Sequence, residues 1–341
     1  MKTWIIPAGI GSGPSGLKLV ERPSPTPAAG QVRLTMKAWS TNYRDGAVAG
    51  GLYLGGPVAK DTIPLSDGAG VVAAVGAGVT RWKVGDRVAP TFFQNWIGGP
   101  FTAGVMGTDL GGPIDGVLAE EIVIDEQGLV RIPDALSFQE AASLPCAAVT
   151  AWHALFASGH VFLPGQTVLV LGTGGVSIFA LQFAKAAGAR VIATSSSDAK
   201  LEHARRLGAD QTVNYRSTPA WDEAVLKLTD GRGVDMVIEV GGPGTLARSM
   251  NAVAAGGTVA LIGILAGFGG EVSPLSIMLK TARLQGVYVG SRAMFEAMNT
   301  AIASQGIRPV IDKVFAFEDA PGAYLHQAAG GHVGKVVIAA E

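Results

Sequence analysis

From Val168 onward, short apolar runs alternate with segments whose apolar residues recur every three or four positions. The runs fall at residues 168–171, 190–194, 211–213, 234–240, 258–262 and 284–289. Most are continuously apolar, the pattern of parallel strands covered on both faces, and the segments between them have helical length. This alternation predicts an α/β fold built on a doubly wound parallel sheet of about six strands. Upstream the pattern changes. Residues 1 to about 130 read as β-rich. Val32-Arg-Leu-Thr-Met-Lys-Ala38 alternates apolar and polar positions, Gly70-Val-Val-Ala-Ala-Val-Gly76 is a strand bounded by glycines, and Val84-Gly-Asp-Arg-Val88 is a turn into another. Residues 91 to about 116 form a long loop carrying Phe92, Phe93, Trp96, Phe101 and Met106, whose aromatics point to ordered cover rather than a linker. Ser137, with Glu140 three positions on, is a capping box that starts a helix. After about residue 290 the pattern returns to helix and then strand, ending Gly334-Lys-Val-Val-Ile338. The expected division is a β-rich part, 1–135 with 291–341, and a parallel-sheet part, 136–290.

Composition removes whole classes of function. A chain of 341 residues that is 48% hydrophobic and 16% charged has ample core for two domains. A net charge of −1, with Lys and Arg scattered, leaves no footprint for nucleic acid or an acidic membrane. No run approaches the roughly 18 apolar residues of a membrane span, and the N-terminal apolar run is too short for a signal peptide. A single cysteine excludes a disulfide framework and any multi-cysteine metal site, so the cytoplasm is the expected location.

The chemistry enters at Val168-Leu-Val-Leu-Gly172-Thr-Gly174-Gly175-Val-Ser177. A strand ends in a glycine turn and a helix follows at once. Gly172 permits the tight turn, Gly174 permits close approach of a phosphate, and the helix start supplies unpaired N–H groups and partial positive charge. Gly172, Thr173, Gly174, Gly175 and Val176 are therefore candidate pyrophosphate-binding positions. Ser177 replaces the third glycine of the pattern. The next strand, Arg190-Val-Ile-Ala-Thr194, closes a βαβ unit of the expected length of about 30 residues.

Further strings carry a likeness over nearly the whole chain: Asn42-Tyr-Arg-Asp45, Asp67-Gly-Ala-Gly70-Val-Val72, the stretch from Val75-Gly-Ala-Gly78 to Gly85-Asp-Arg-Val88, Ala147-Ala-Val-Thr150-Ala-Trp152 and Val213-Asn-Tyr215. In these the chain resembles the medium-chain dehydrogenase/reductase superfamily, and within it the zinc-free, quinone-oxidoreductase-like branch. The resemblance implies a GroES-like catalytic domain beside a Rossmann domain, and a homodimer paired through the last Rossmann strand, here Arg283-Leu-Gln-Gly-Val-Tyr-Val-Gly290. Where zinc-dependent members place three protein ligands, this chain has Asn42, Ser66 and Cys146; Asn42 and Ser66 are not zinc donors, so no metal is expected. The cysteine lobe of a structural zinc is missing too. The resemblance also implies that Thr150 packs near the nicotinamide, and that the backbone of Ile262-Gly263-Ile264 and Val289-Gly290-Ser291 holds its carboxamide. Gly241, in the Gly241-Gly242-Pro243 turn, lies at a strand's carboxyl end, where cofactors sit in such sheets.

The second strand ends Thr194-Ser195-Ser196-Ser197, where an NAD-preferring site usually carries a carboxylate. Hydroxyls at Ser195 and Ser196 can instead donate to a 2′-phosphate, and the resemblance adds Lys200 and Tyr215 as its contacts; NADPH is the expected cofactor, with NADH the less favoured. The serines also fit a simple helix cap. Without a Lewis acid, carbonyl polarisation rests on hydrogen bonds, which favours quinones and α,β-unsaturated carbonyls, where hydride adds to a conjugated carbon. The resemblance offers Asn42 and Tyr53 as groups facing the substrate, with Asn42 near the nicotinamide and so a cofactor contact as well, while a second tyrosine of related reductases is Ala47 here. Asp45 is expected in a salt bridge, with Arg44 or Arg87, rather than in catalysis. The five histidines form no spaced cluster. Two alternatives remain at this stage: a zinc-independent alcohol dehydrogenase or carbonyl reductase, and an NADPH-binding structural protein with little turnover.

Overall fold

The computed structural model describes residues 1–53, 55–267 and 273–340. The chain divides into two compact units, Met1–Val149 with Gly290–Glu341, and Thr150–Val289.

In the second unit six parallel strands lie in the order Gln211–Asn214, Arg190–Ser195, Thr167–Leu171, Val234–Glu239, Val253–Leu261, Arg283–Gly286. This is the doubly wound sheet that the apolar runs predict. Thr167–Leu171 is buried along its whole length because helices cover both faces. The helix Gly175–Ala186 packs Ile178, Phe179, Leu181 and Phe183 inward. Chain order reverses on either side of Thr167–Leu171, which creates a switch point at its carboxyl end. Two strand limits differ from the expectation by more than one residue. The fifth strand starts at Val253, because Ala254-Ala-Gly-Gly257, which reads as a turn, continues the ladder through a bulge. The sixth stops at Gly286, and Val289 beyond it has a left-handed backbone (φ 52°) that an apolar run does not announce.

The first unit is built on a seven-stranded sheet. Its path runs Ile311–Ala316, Lys335–Ala339, Gln31–Ser40, Asp67–Val75, Arg87–Pro90, Leu129–Arg131, and Glu121–Asp125 also pairs with Gln31–Ser40. Val32, Leu34 and Met36 alternate into a core shared with Trp39, Val72, Leu118 and Phe317. The long aromatic loop is ordered cover. Phe92, Phe93 and Trp96 are buried, and Phe93, Trp96 and Phe101 meet edge to face. Ser137 and Glu140 form the reciprocal capping box that the sequence predicts, starting the helix Phe138–Ala142. Lys335–Ala339 pairs antiparallel with Gln31–Ser40, Val337 opposite Ser40. That register brings the end of the chain beside Thr41 and Asn42. No helix among the described residues is long and apolar enough to cross a membrane.

Candidate active site

Parallel strands place all their carboxyl ends on one edge of the sheet. There the second unit gathers most of the cofactor positions expected from the sequence. Gly172 turns the chain with φ 75°, a conformation costly for any side chain. Gly174 is different. Its backbone is extended, and a Cβ there would meet no heavy atom within 4 Å. Nothing among the described residues therefore requires glycine at 174; the open space lies at the start of the helix Gly175–Ala186, whose N-cap carries no side-chain hydrogen bond. Gly175 and Val176, half-buried, open that helix, and Thr173 is buried beside them. Ser177 accounts for its own departure from the glycine pattern. Its buried hydroxyl donates to the Leu171 carbonyl at 2.6 Å, tying helix to strand end at short range.

Thr194, opposite Leu171 in the ladder, accepts the Gly172 N–H on its hydroxyl at 3.3 Å. Ser195 is buried and stands opposite Asn214, and its carbonyl accepts the Tyr215 N–H at 3.0 Å. Ser196 is half-buried and Tyr215 is exposed. Ser197 is the N-cap of the helix Asp198–Arg206 by position, yet its side chain makes no cap bond. The serines are thus not consumed by capping. Lys200 lies in the first turn of that helix. Asp198 is engaged by the Asn214 amide at 2.8 Å.

On the other side of the switch point a residue missed at the sequence level organises the turn. Glu239 is fully buried at the end of its strand. One carboxylate oxygen accepts from the N–H groups of Gly241 (2.7 Å) and Gly242 (3.0 Å) and from the Thr245 hydroxyl (2.6 Å); the other accepts from the Ser249 hydroxyl. A carboxylate ending an otherwise apolar strand was the available signal. The Glu239 carbonyl also accepts the Ile262 N–H at 2.8 Å, so the loop through Ile262 and the partly exposed Ile264 lies against the Gly241 turn. Thr150 is buried in the short helix Val149–Trp152. The carbonyl of left-handed Val289 is bound by His153 Nδ1 at 2.7 Å. Burial of His153 lowers its pKa, outweighing that bond, so the neutral ring donates from Nδ1. Ser291, in the first unit, uses its hydroxyl to cap the helix Arg292–Gln305, accepting from Met294 N–H at 3.3 Å.

The first unit holds Asn42 and Tyr53 in a different kind of place. Asn42 precedes the helix Tyr43–Ala49, and its N–H donates to the Asp45 carboxylate at 2.6 Å. Asp45 pairs with Arg44 at 3.3 Å, while Arg87 binds the carbonyls of Asp134 and Leu136 instead. Burial pushes the Asp45 carboxyl up to about 6; Asp67 adds to this, and Arg44 and the Asn42 N–H oppose it. Arg44 also pairs with Asp109 at 2.9 Å, and its guanidinium lies 4.7 Å from the ring centre of half-buried Tyr53.

Around Asn42 the groups that replace a zinc ligand set are already engaged with one another. Ser66 donates to Asp67 at 2.7 Å, and Cys146 N–H donates to the same carboxylate at 3.2 Å. Lys335 Nζ donates to the Thr41 carbonyl (2.8 Å) and to Asn42 Oδ1 (2.5 Å), and stands 3.6 Å from Asp67. Cys146 keeps some exposure, yet its surroundings and the Asp67 carboxylate push its thiol well above the usual range. A carboxamide, a hydroxyl and a protonated thiol beside an ammonium do not fit Zn²⁺, which needs thiolate, imidazole or carboxylate donors. Among the described residues no group of three or more His, Cys, Asp and Glu could hold a metal ion.

Comparison with known proteins agrees with this fold, although the matching family model and a relative are described by zinc. Residues 28–134 match the family model described as an alcohol dehydrogenase GroES-like domain, and residues 175–304 match that of a zinc-binding dehydrogenase. A zinc-type alcohol dehydrogenase-like protein of Schizosaccharomyces pombe is 46% identical over 91% of this chain and 90% of its own length. A quinone oxidoreductase of Pseudomonas aeruginosa is 32% identical, covering 96% of each chain. Among solved structures, an NAD-dependent alcohol dehydrogenase superposes with a TM-score of 0.89 at 32% identity, covering 99% of both chains. With the doubly wound sheet, its glycine turn and the GroES-like unit, these relatives settle the family: the chain belongs to the medium-chain dehydrogenase/reductase superfamily and is an NAD(P)-dependent oxidoreductase.

Proposed function

We propose that the protein uses NADPH to reduce quinones or α,β-unsaturated carbonyls, without zinc. The observation that carries the reading is the donor set of the first unit, where a carboxamide and a hydroxyl, Asn42 and Ser66, stand in positions expected for metal ligands and the Lys335 ammonium is bound beside them. When bound, the nicotinamide supplies hydride to the conjugated carbon. Asn42 Nδ2 is the donor offered to the substrate oxygen that gains negative charge, and solvent supplies the proton that ends the reaction. Tyr53 is held by Arg44 as a second substrate-facing group.

NADPH preference is supported by the end of the strand Arg190–Ser195, where hydroxyls stand in place of a carboxylate and Lys200 and Tyr215 lie close in sequence and register. Gly172 to Val176, Gly241, Ile262, Ile264, Thr150 and the backbone of Val289 and Ser291 complete the proposed cofactor contacts. The test is kcat/KM with NADPH and NADH, for the wild type and for Lys200→Ala. NADPH should be preferred, and the substitution should cut the preference about tenfold, the weight of one charge-assisted hydrogen bond. A wild-type ratio near one sinks the NADPH reading. Turnover of a saturated aldehyde or ketone above that of a quinone or enone favours the alcohol dehydrogenase reading, which the alcohol dehydrogenase relatives support. Tight NADPH binding with no turnover on either panel favours a binding protein.

The reading extends to a cytoplasmic homodimer. Among the described residues Arg283–Gly286 edges its sheet, and Leu275, Met278 and Leu279 on the helix Pro274–Leu279 are exposed. A second copy pairing on this edge would cover both.

A further inference from the structure

Asn42 Nδ2 is buried and has no hydrogen-bond partner among the described residues. A buried amide N–H₂ without an acceptor is costly, so its orientation needs a cause. The cause is Lys335. An ammonium only donates, so the atom of Asn42 that faces it at 2.5 Å must be the carbonyl oxygen. Lys335 is itself held. It is 2% exposed, donates to the Thr41 carbonyl at 2.8 Å and stands 3.6 Å from Asp67, whose other oxygen is taken by Ser66. With Oδ1 committed to the ammonium, both N–H bonds of Asn42 are left to something outside this cluster. The opposite amide orientation would set N–H₂ against the ammonium, donor against donor.

We propose that Lys335 is a positioning residue that locks the Asn42 carboxamide with its N–H₂ turned away from the ammonium, making Asn42 a hydrogen-bond donor selective for a carbonyl or quinone oxygen. This rests on the hydride-transfer reading above, in which that oxygen gains negative charge. An ammonium buried behind the amide also polarises it, which strengthens donation from Nδ2. The acceptor is thereby specified by chemistry: an oxygen with lone pairs is favoured, and a hydroxyl that must itself donate is not.

The test uses the full-length protein with NADPH and 9,10-phenanthrenequinone, in Asn42→Leu, Lys335→Met and their double variant. Lys335→Met together with Asp67→Asn serves if the single change leaves an unfoldable stray carboxylate. Asn42→Leu should lower kcat roughly 100-fold, as for loss of one oxyanion donor. Lys335→Met should lower kcat by a similar factor, with the NADPH dissociation constant within about threefold of wild type, and the double variant should be no worse than the poorer single one. Multiplying losses in the double variant, or a folded Lys335→Met with wild-type kcat, overturns the proposal. A second readout needs no turnover. The side-chain ¹⁵N–¹H₂ pair of Asn42 should be two sharp, separated signals in the wild type and should broaden or shift together in Lys335→Met. Unchanged signals overturn the positioning role. Absence of quinone turnover in the wild type would instead defeat the hydride-transfer reading, while the amide signals still decide Lys335.

Discussion

The two units build their parts of the chemistry in opposite ways. The parallel-sheet unit works with backbone: a turn at Gly172, helix-start N–H groups, and strand ends aligned by the parallel ladder. The GroES-like unit works with side chains: Asn42, Asp67, Cys146 and Lys335, contributed from four distant places and meeting in one buried cluster. A backbone site is tuned by leaving space, and a side-chain cluster by pairing its polar groups, all but the Asn42 N–H₂. The first should therefore fail when something is added, and the second when something is taken away.

Adding is the larger blow. Gly174→Asp should weaken binding of the nicotinamide dinucleotide by roughly 1000-fold, because a carboxylate would stand where the helix start favours an anion. Its melting temperature should stay within about 2 °C of wild type, since a Cβ at 174 meets nothing within 4 Å. Fluorescence titration and a thermal melt check both halves; a large fall in stability would show that the protein itself needs that glycine.

Removal within the parallel-sheet unit tests the contrast from the other side. Glu239→Gln keeps size but sets an amide N–H₂ among four donors. It should cost about 2–3 kcal/mol in denaturant unfolding, the scale of an unsatisfied buried polar group. A cost below about 0.5 kcal/mol would mean that the turn at Gly241 holds without its carboxylate.

The last effect concerns pH and is spread over two pH units. The Asp45 carboxyl rises from 3.8 to about 6 in the folded protein, so between these values the folded state binds a proton that the unfolded state has released. Stability contributed by this group therefore falls as pH rises through that window, by at most about 3 kcal/mol. Asp45→Asn should remove that slope between pH 4 and pH 6 in chemical denaturation; an identical slope in the variant would place the titration elsewhere.

The same contrast governs what can be read from the amino-acid order. The doubly wound sheet is legible because each buried strand is one contiguous apolar run, and the glycine turn because its chemistry lies within ten residues. Val289 was expected as a strand end but turns left-handed, since an apolar side chain carries no sign of its own φ. Asn42 and Cys146 came into view only through family strings. Lys335 did not, because a lysine opening an apolar strand reads as an exposed edge charge. Its depth follows from the pairing of Val337 with Ser40, which no local pattern encodes. Glu239 shows the same limit: one acidic residue after an apolar run does not reveal four donors folded back upon it.

That long-range pairing has a consequence for how the molecule is made. The parallel-sheet unit is one continuous stretch, Thr150–Val289, and can collapse as it leaves the ribosome. The unit before it cannot finish. Its sheet waits for Lys335–Ala339, translated roughly 300 residues after Gln31–Ser40, a delay on the order of 15–60 s at ordinary elongation rates. Until then Asp67 lacks its lysine and the sheet has an open edge beside Gln31–Ser40, so the nascent chain exposes an unpaired strand next to an unneutralised carboxylate. The strand Lys335–Ala339 thus closes the sheet and delivers its buried cation in one event.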